Sequence, residues 1–234
     1  MRRGGDLNLS DTPKIVRDAF TCFPSLFKGL PVTVKALAAI ILLGFTSNAI
    51  SSPFWVVYTT NEIGLSSIEW GTILFVEMGL RTLLYIPAGV IVDRYGRTKS
   101  IIASLLLSLA SIPLFIFSTT FINVLLVRSA VAVVNSLFIP ACSALMADTV
   151  PKEKRGRVMA ALGRGTVFLG ATGGGTGGPR VGYMITIPIV LSSMAGGYLY
   201  TFDPRYPWLF VTASILISLL VSALYIRDPE EAEI

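Results

Sequence analysis

The sequence predicts an all-α integral membrane protein in which six transmembrane helices form one bundle, with a seven-helix arrangement as the alternative. Two observations carry this. The first is composition: 53% of residues are hydrophobic, 14% are charged, and the mean hydropathy is +0.71. A soluble domain needs about 25% charged residues to cover its surface. A bilayer removes that need, because the surface it contacts should be apolar. The second is spacing: the apolar residues fall into runs of about 20, the length that crosses a hydrocarbon core. Backbone polar groups in lipid must be satisfied within the segment, so each run is a helix.

Residues 1–35 are expected to be a cytoplasmic segment. "MRRGGDLNLSDTPK" has no apolar core of the kind a signal peptide needs. Ile15, Phe20, Phe23, Phe27 and Leu30 follow at helical spacing with cations between them. That pattern predicts an amphipathic helix, lying either on the membrane face or on the protein's own cytoplasmic face. The predicted spans cover residues 36–57, 68–92, 100–117, 121–147, 181–200 and 208–226. Pro53, Pro87, Pro113, Pro140 and Pro188 fall in or near them, as transmembrane helices allow.

The connections decide the orientation. Arg2, Arg3, Lys14, Arg17, Lys28 and Lys35 precede the first span. Arg94, Arg97 and Lys99 follow the second, and Lys152, Lys154, Arg155, Arg157, Arg164 and Arg180 follow the fourth. The alternate connections "YTTNEIGLSS" and "STT" hold no cation, and "TFDPRYP" holds Arg205 only. Cations concentrate on the cytoplasmic side of membrane proteins, so both termini, including the 227–234 tail, are expected in the cytoplasm. The expected location is the plasma (cytoplasmic) membrane.

Residues 158–180 hold Arg164 and a glycine cluster, which argue for a cytoplasmic glycine-rich insertion rather than a seventh span. Gly173, Gly175 and Gly178 match G-x-G-x-x-G, but no strand precedes them, so a dinucleotide site does not follow. The net charge of +5 does not point to nucleic acid, because the cations sit at the ends of apolar runs. The chain has no histidine, so His-based catalysis and zinc-binding histidines are absent, and Cys22 and Cys142 imply neither a disulfide framework nor a metal site. No cofactor is expected, and the chain does not read as an enzyme.

The stretch "GVIVDRYGRTKS", between the second and third spans, carries the most specific motif. Gly89, Asp93, Arg94, Gly96 and Arg97 resemble the G-x-x-x-D-R-x-G-R loop of the major facilitator superfamily. Arg128, Pro140 and Asp148 in the fourth span, "PKEKRGRVMA" after it and "GGYLY" at the end of the fifth are similar to further parts of the same fold. The resemblance covers roughly residues 35–226. It departs at the insertion, at Ala132, Val134 and Ser136 after Arg128, and in length. Members usually have two six-helix halves, so the chain resembles one half, by its basic leading segment the C-terminal one.

The resemblance implies a secondary carrier of a small solute, driven by a gradient. Its partners would be the lipid bilayer, the solute, and a second six-helix half or a second copy of the chain. Alternatives are a non-transporting scaffold or receptor, or a truncated fragment of the fold. The hairpin is expected to act as a gate, with Arg97 pairing Asp148 and Asp93 receiving the N-terminus of another helix. Glu77 and Arg81, one turn apart inside the second span, share a face and can pair. Ions so placed cost about 3 kcal/mol each and tend to face a cavity. They are candidates for the pathway, with Arg128, equally readable as a snorkelling anchor, and Asn48, better read as a helix-to-helix hydrogen bond.

Overall fold

A computed structural model describes residue 21, residues 27–163, residue 169 and residues 182–228. The expected helix at residues 15–30 and the 227–234 tail therefore lie largely outside the described residues. So does most of the glycine-rich stretch, including Arg164, Gly173, Gly175, Gly178 and Arg180.

Six of the described helices are long and apolar enough to cross a membrane. Span one is α1 (Val32–Ser51), continued by the short α2 (Phe54–Asn61). Pro53 separates the two because it has no N–H with which to continue the helical ladder. Span two is α3 (Ser67–Tyr95). Ser66 and Glu69 start it with a reciprocal capping box: the Ser66 N–H donates to Glu69 Oε2 at 2.8 Å, and the Glu69 N–H donates to Ser66 Oγ at 3.3 Å. Span three is α4 (Arg97–Ile116), and span four is α5 (Phe121–Thr149), capped by Thr120. The short α6 (Lys152–Leu162) follows. Spans five and six are α7 (Tyr183–Phe202) and α8 (Tyr206–Tyr225). At 29 residues each, α3 and α5 rise about 44 Å. They overrun a core of about 30 Å, and their ends carry the hairpin and Asp148 clear of it.

The principal helix pairings run α3 on α5, α5 on α4, α4 on α8, α8 on α1 and α1 on α7. Exchanging spans one, two and three with spans four, five and six returns the same set of pairs. Span one and span four run in opposite directions, so the bundle consists of two inverted three-helix units. Small residues let the helices approach where lipid provides no hydrophobic drive between them. Two helices that pack together, α4 and α8, bury Ser100, Ser104 and Ser108 on one and Ser214, Ser218 and Ser222 on the other. Gly196 of α7 touches α1: a Cβ there would stand 2.5 Å from the Ile50 oxygen and 2.9 Å from its Cα. Trp55, Phe115 and Trp208 tie spans one, three and six together, with ring centroids 4.3 to 4.6 Å apart.

The segments rich in cations converge at one end of the bundle. Arg97 pairs with Asp148, Lys154 Nζ donates to the Gly29 carbonyl at 3.4 Å, and Thr98 bonds Asp228. The segment entering span one and the segment leaving span six therefore share this end. The stretch between α6 and α7 also leaves and returns here: the Gly163 nitrogen lies 2.5 Å from where a Gly182 Cβ would stand, beside the Ala161 oxygen. Gly163 and Gly182 therefore lie at the same end of the bundle.

Candidate functional site

The interior charges meet where α3 packs on α5. Glu77 is 1% exposed and forms an ion pair with Arg128, which is 0% exposed. Arg128 occupies the third turn of α5, but its guanidinium does not reach out toward the interface. It turns inward because the bundle supplies a counter-charge and an aromatic face: the Trp55 ring centroid is 4.4 Å from it and that of Trp70 5.7 Å. The snorkelling expectation is corrected accordingly. Arg81 lies one turn along α3 from Glu77, close enough for its charge to act on both members of the pair. Glu77 thus has a cross-helix partner in Arg128, in addition to Arg81 one turn away on its own helix. One carboxylate and one guanidinium are buried here, with the half-buried Arg81 beside them. Such a set can bind an anion, or exchange partners as helices shift.

Below that cluster lies a second polar station. Asn135, 0% exposed and midway along α5, clasps the backbone of Leu169. Its Nδ2 donates to the Leu169 carbonyl at 2.9 Å and the Leu169 N–H donates to its Oδ1 at 2.8 Å. Asn135 is about 21 Å along α5 from Thr149. Leu169 belongs to the stretch expected in the cytoplasm, yet it stands at this depth, 2% exposed. The physical reason is the carboxamide, which satisfies both backbone polar groups of Leu169 where water is excluded. Ser136 Oγ, beside it, donates to the Arg81 carbonyl at 3.4 Å. Asn48 is buried on α1, and its Oδ1 has no hydrogen-bond partner among the described residues.

The hairpin residues divide into two groups. Gly96 ends α3 and precedes α4 with φ +95°, a conformation glycine adopts without strain. Arg97, the first residue of α4, is ion-paired to Asp148 near the end of α5. Gly89, Asp93 and Arg94 are not drawn into these contacts. A Cβ on Gly89 would meet nothing within 4 Å, so among the described residues no other helix approaches there. Asp93 is exposed, without a side-chain hydrogen bond or ion pair among the described residues, and Arg94 lies 5.8 Å from the Tyr95 ring. Asn135 and Asp228 were missed from the sequence. A polar residue two turns from Arg128 on the same helix was a signal for the first. The second acts across 130 positions and left none.

At the opposite end of the bundle, Tyr58, Glu62, Ser118, Asp203 and Arg205 line a cavity of about 430 Å³. It opens between the cation-poor connections, away from the hairpin.

A six-helix bundle with an apolar exterior, a charged interior and a cation-bearing hairpin defines a multi-pass membrane protein. The chain belongs to the Major Facilitator Superfamily, whose family model matches residues 37–233. It is 31% identical over 209 residues to the multidrug resistance protein MdtG of Dickeya zeae, an alignment covering 85% of this chain and 46% of that protein. It is 26% identical over 189 residues to the uncharacterized MFS-type transporter YhjO of Bacillus subtilis, covering 80% of this chain and 42% of the relative. The class H tetracycline resistance protein of Pasteurella multocida is 25% identical over 165 residues, covering 70% and 36%. The chain spans less than half the length of these relatives.

Proposed function

We propose that the chain is one six-helix half of a gradient-driven carrier for a small solute, with the cation-rich end and both termini in the cytoplasm of a plasma membrane. The observation that carries this reading is the buried Glu77–Arg128 pair with Arg81 beside it. A charged cluster inside a membrane bundle is costly and is found where a solute or ion path runs. Glu77, Arg81, Arg128 and Asn48 would line that path. Gly96, Arg97 and Asp148 would hold its cytoplasmic end shut, with Gly89, Asp93 and Arg94 completing the gating hairpin.

A second half, or a second copy, would cover the outward faces of α3 and α7. These two helices end the series of pairings, and in each only 17% of the most apolar stretch is buried within the chain. Asp93, exposed beside that face, would then receive the N-terminal amides of a helix in the added half. The relatives named for tetracycline and multidrug resistance make amphiphilic drug-like solutes the first class to test.

The test is flux into proteoliposomes with three preparations: the chain alone, a tandem of two copies, and the chain with a candidate N-terminal half. Flux is expected from a paired form and is expected to vanish with Glu77→Gln. Folded protein that moves no solute in any pairing would refute the carrier reading.

A further inference from the structure

The first turn of α4 lacks a cap of its own. Gly96 precedes it with no side chain, and helix N-termini leave their first amides without intrahelical partners. The cap comes from the far end of the chain. Asp228, three residues past the end of α8, accepts at Oδ1 from the Thr98 N–H and from Thr98 Oγ1, both at 2.9 Å. Its other oxygen, Oδ2, lies 2.8 Å from where a Cβ on Gly96 would stand. The hairpin glycine is therefore needed twice, for its positive φ and for the room it leaves this carboxylate. A carboxylate at a helix N-terminus is also favoured by the helix dipole. In the same turn Arg97 pairs with Asp148 of α5. Two carboxylates, from the ends of spans four and six, grip one turn of span three.

We propose that Asp228 is a positioning residue of the hairpin gate: it clamps the first turn of α4 to the end of α8, and this contact must release before Arg97 can leave Asp148. The proposal rests on the gating role given to the hairpin above. It assigns Asp228 no contact with solute.

The test uses the full chain in membranes with Cys22→Ser, which leaves Cys142, buried on α5 between Asn135 and Asp148, as the sole thiol. Asp228→Ala, Asp228→Asn, Thr98→Val and Arg97→Gln are compared for hydrogen exchange over residues 97–100 and for alkylation of Cys142 by N-ethylmaleimide. Asp228→Ala should accelerate exchange roughly tenfold and raise the alkylation rate severalfold. Asp228→Asn, which keeps an acceptor oxygen, should restore most of both, and Thr98→Val should fall between them. Unchanged exchange in Asp228→Ala overturns the cap. Faster exchange with an unchanged alkylation rate overturns the positioning role and leaves a local brace. If Arg97→Gln accelerates alkylation and Asp228→Ala does not, Asp228 alone is excluded. If neither does, the gating reading fails and this proposal with it.

Discussion

At the scale of single residues, the energetics of the site rest on what surrounds each buried polar group. Glu77 and Arg128 have both left water, so each depends on the other. Removing one partner strands the other charge, which costs about 3–5 kcal/mol in buried pairs. Arg128→Met should therefore lower the unfolding midpoint in detergent sharply. Adding Glu77→Gln should recover part of the loss, since the double variant no longer leaves the Glu77 carboxylate without Arg128. Additive losses would show that the two side chains do not act as a pair. Asn135 poses the same problem in neutral form. Asn135→Leu leaves the Leu169 N–H and carbonyl without their partners. In a chain carrying Leu169→Cys, with Cys22 and Cys142 replaced by serine, this substitution should raise labelling of position 169 by a membrane-impermeant maleimide. Equal labelling with and without Asn135 would mean the clasp does not hold the segment at that depth.

At the scale of elements, close helix approaches add to the packing of large apolar side chains. Gly196 and Gly197 provide a matched comparison on α7. A Cβ at position 196 runs into the Ile50 backbone, while one at 197 meets nothing within 4 Å. Gly196→Ala should cost about 1–3 kcal/mol, the range for overpacking a tight contact, and Gly197→Ala should be close to neutral in the same thermal melt. Ser66→Ala removes one arm of the capping box and should cost about 1 kcal/mol, seen as faster exchange in the first turn of α3. These elements differ in how plainly the sequence announced them. The six apolar runs matched helices to within a few residues at most ends, because a bilayer imposes both length and backbone pairing on any crossing segment. The 29-residue lengths of α3 and α5 were less legible. Their last turns lie outside the apolar run and carry charge, so hydropathy ends before the helix does.

At the scale of the whole molecule, α3 and α7 stand at the two ends of the series of pairings and keep large apolar faces open. Phe75, Leu83 and Ile86 on α3 and Val190, Leu191 and Met194 on α7 are all at least 63% exposed. If a second half seats there, cysteines at Leu83 and Leu191 should cross-link to it, while one at Leu220 of α8 should not. Equal yields at all three positions would point to nonspecific contact. Reporter fusions at the two termini should both report the cytoplasm, and reporters on opposite faces would overturn the orientation.

The chain's own order of residues determined the class of protein, the number of crossings and the side on which its cations gather. All three follow from the solvent: a bilayer selects segments by local length and polarity, and those properties are written in contiguous stretches. The motif "DRYGRTK" likewise marked the hairpin, because its residues are neighbours in sequence. Apart from Arg97 with Asp148, which the resemblance implied, tertiary structure alone decided the pairings among distant residues. It set Glu77 against Arg128 and placed Leu169 beside Asn135. It also brought Asp228 to Thr98 and left Asp93 exposed. Such contacts depend on which helix face meets which, and that is settled by packing across the whole bundle, not by any local period.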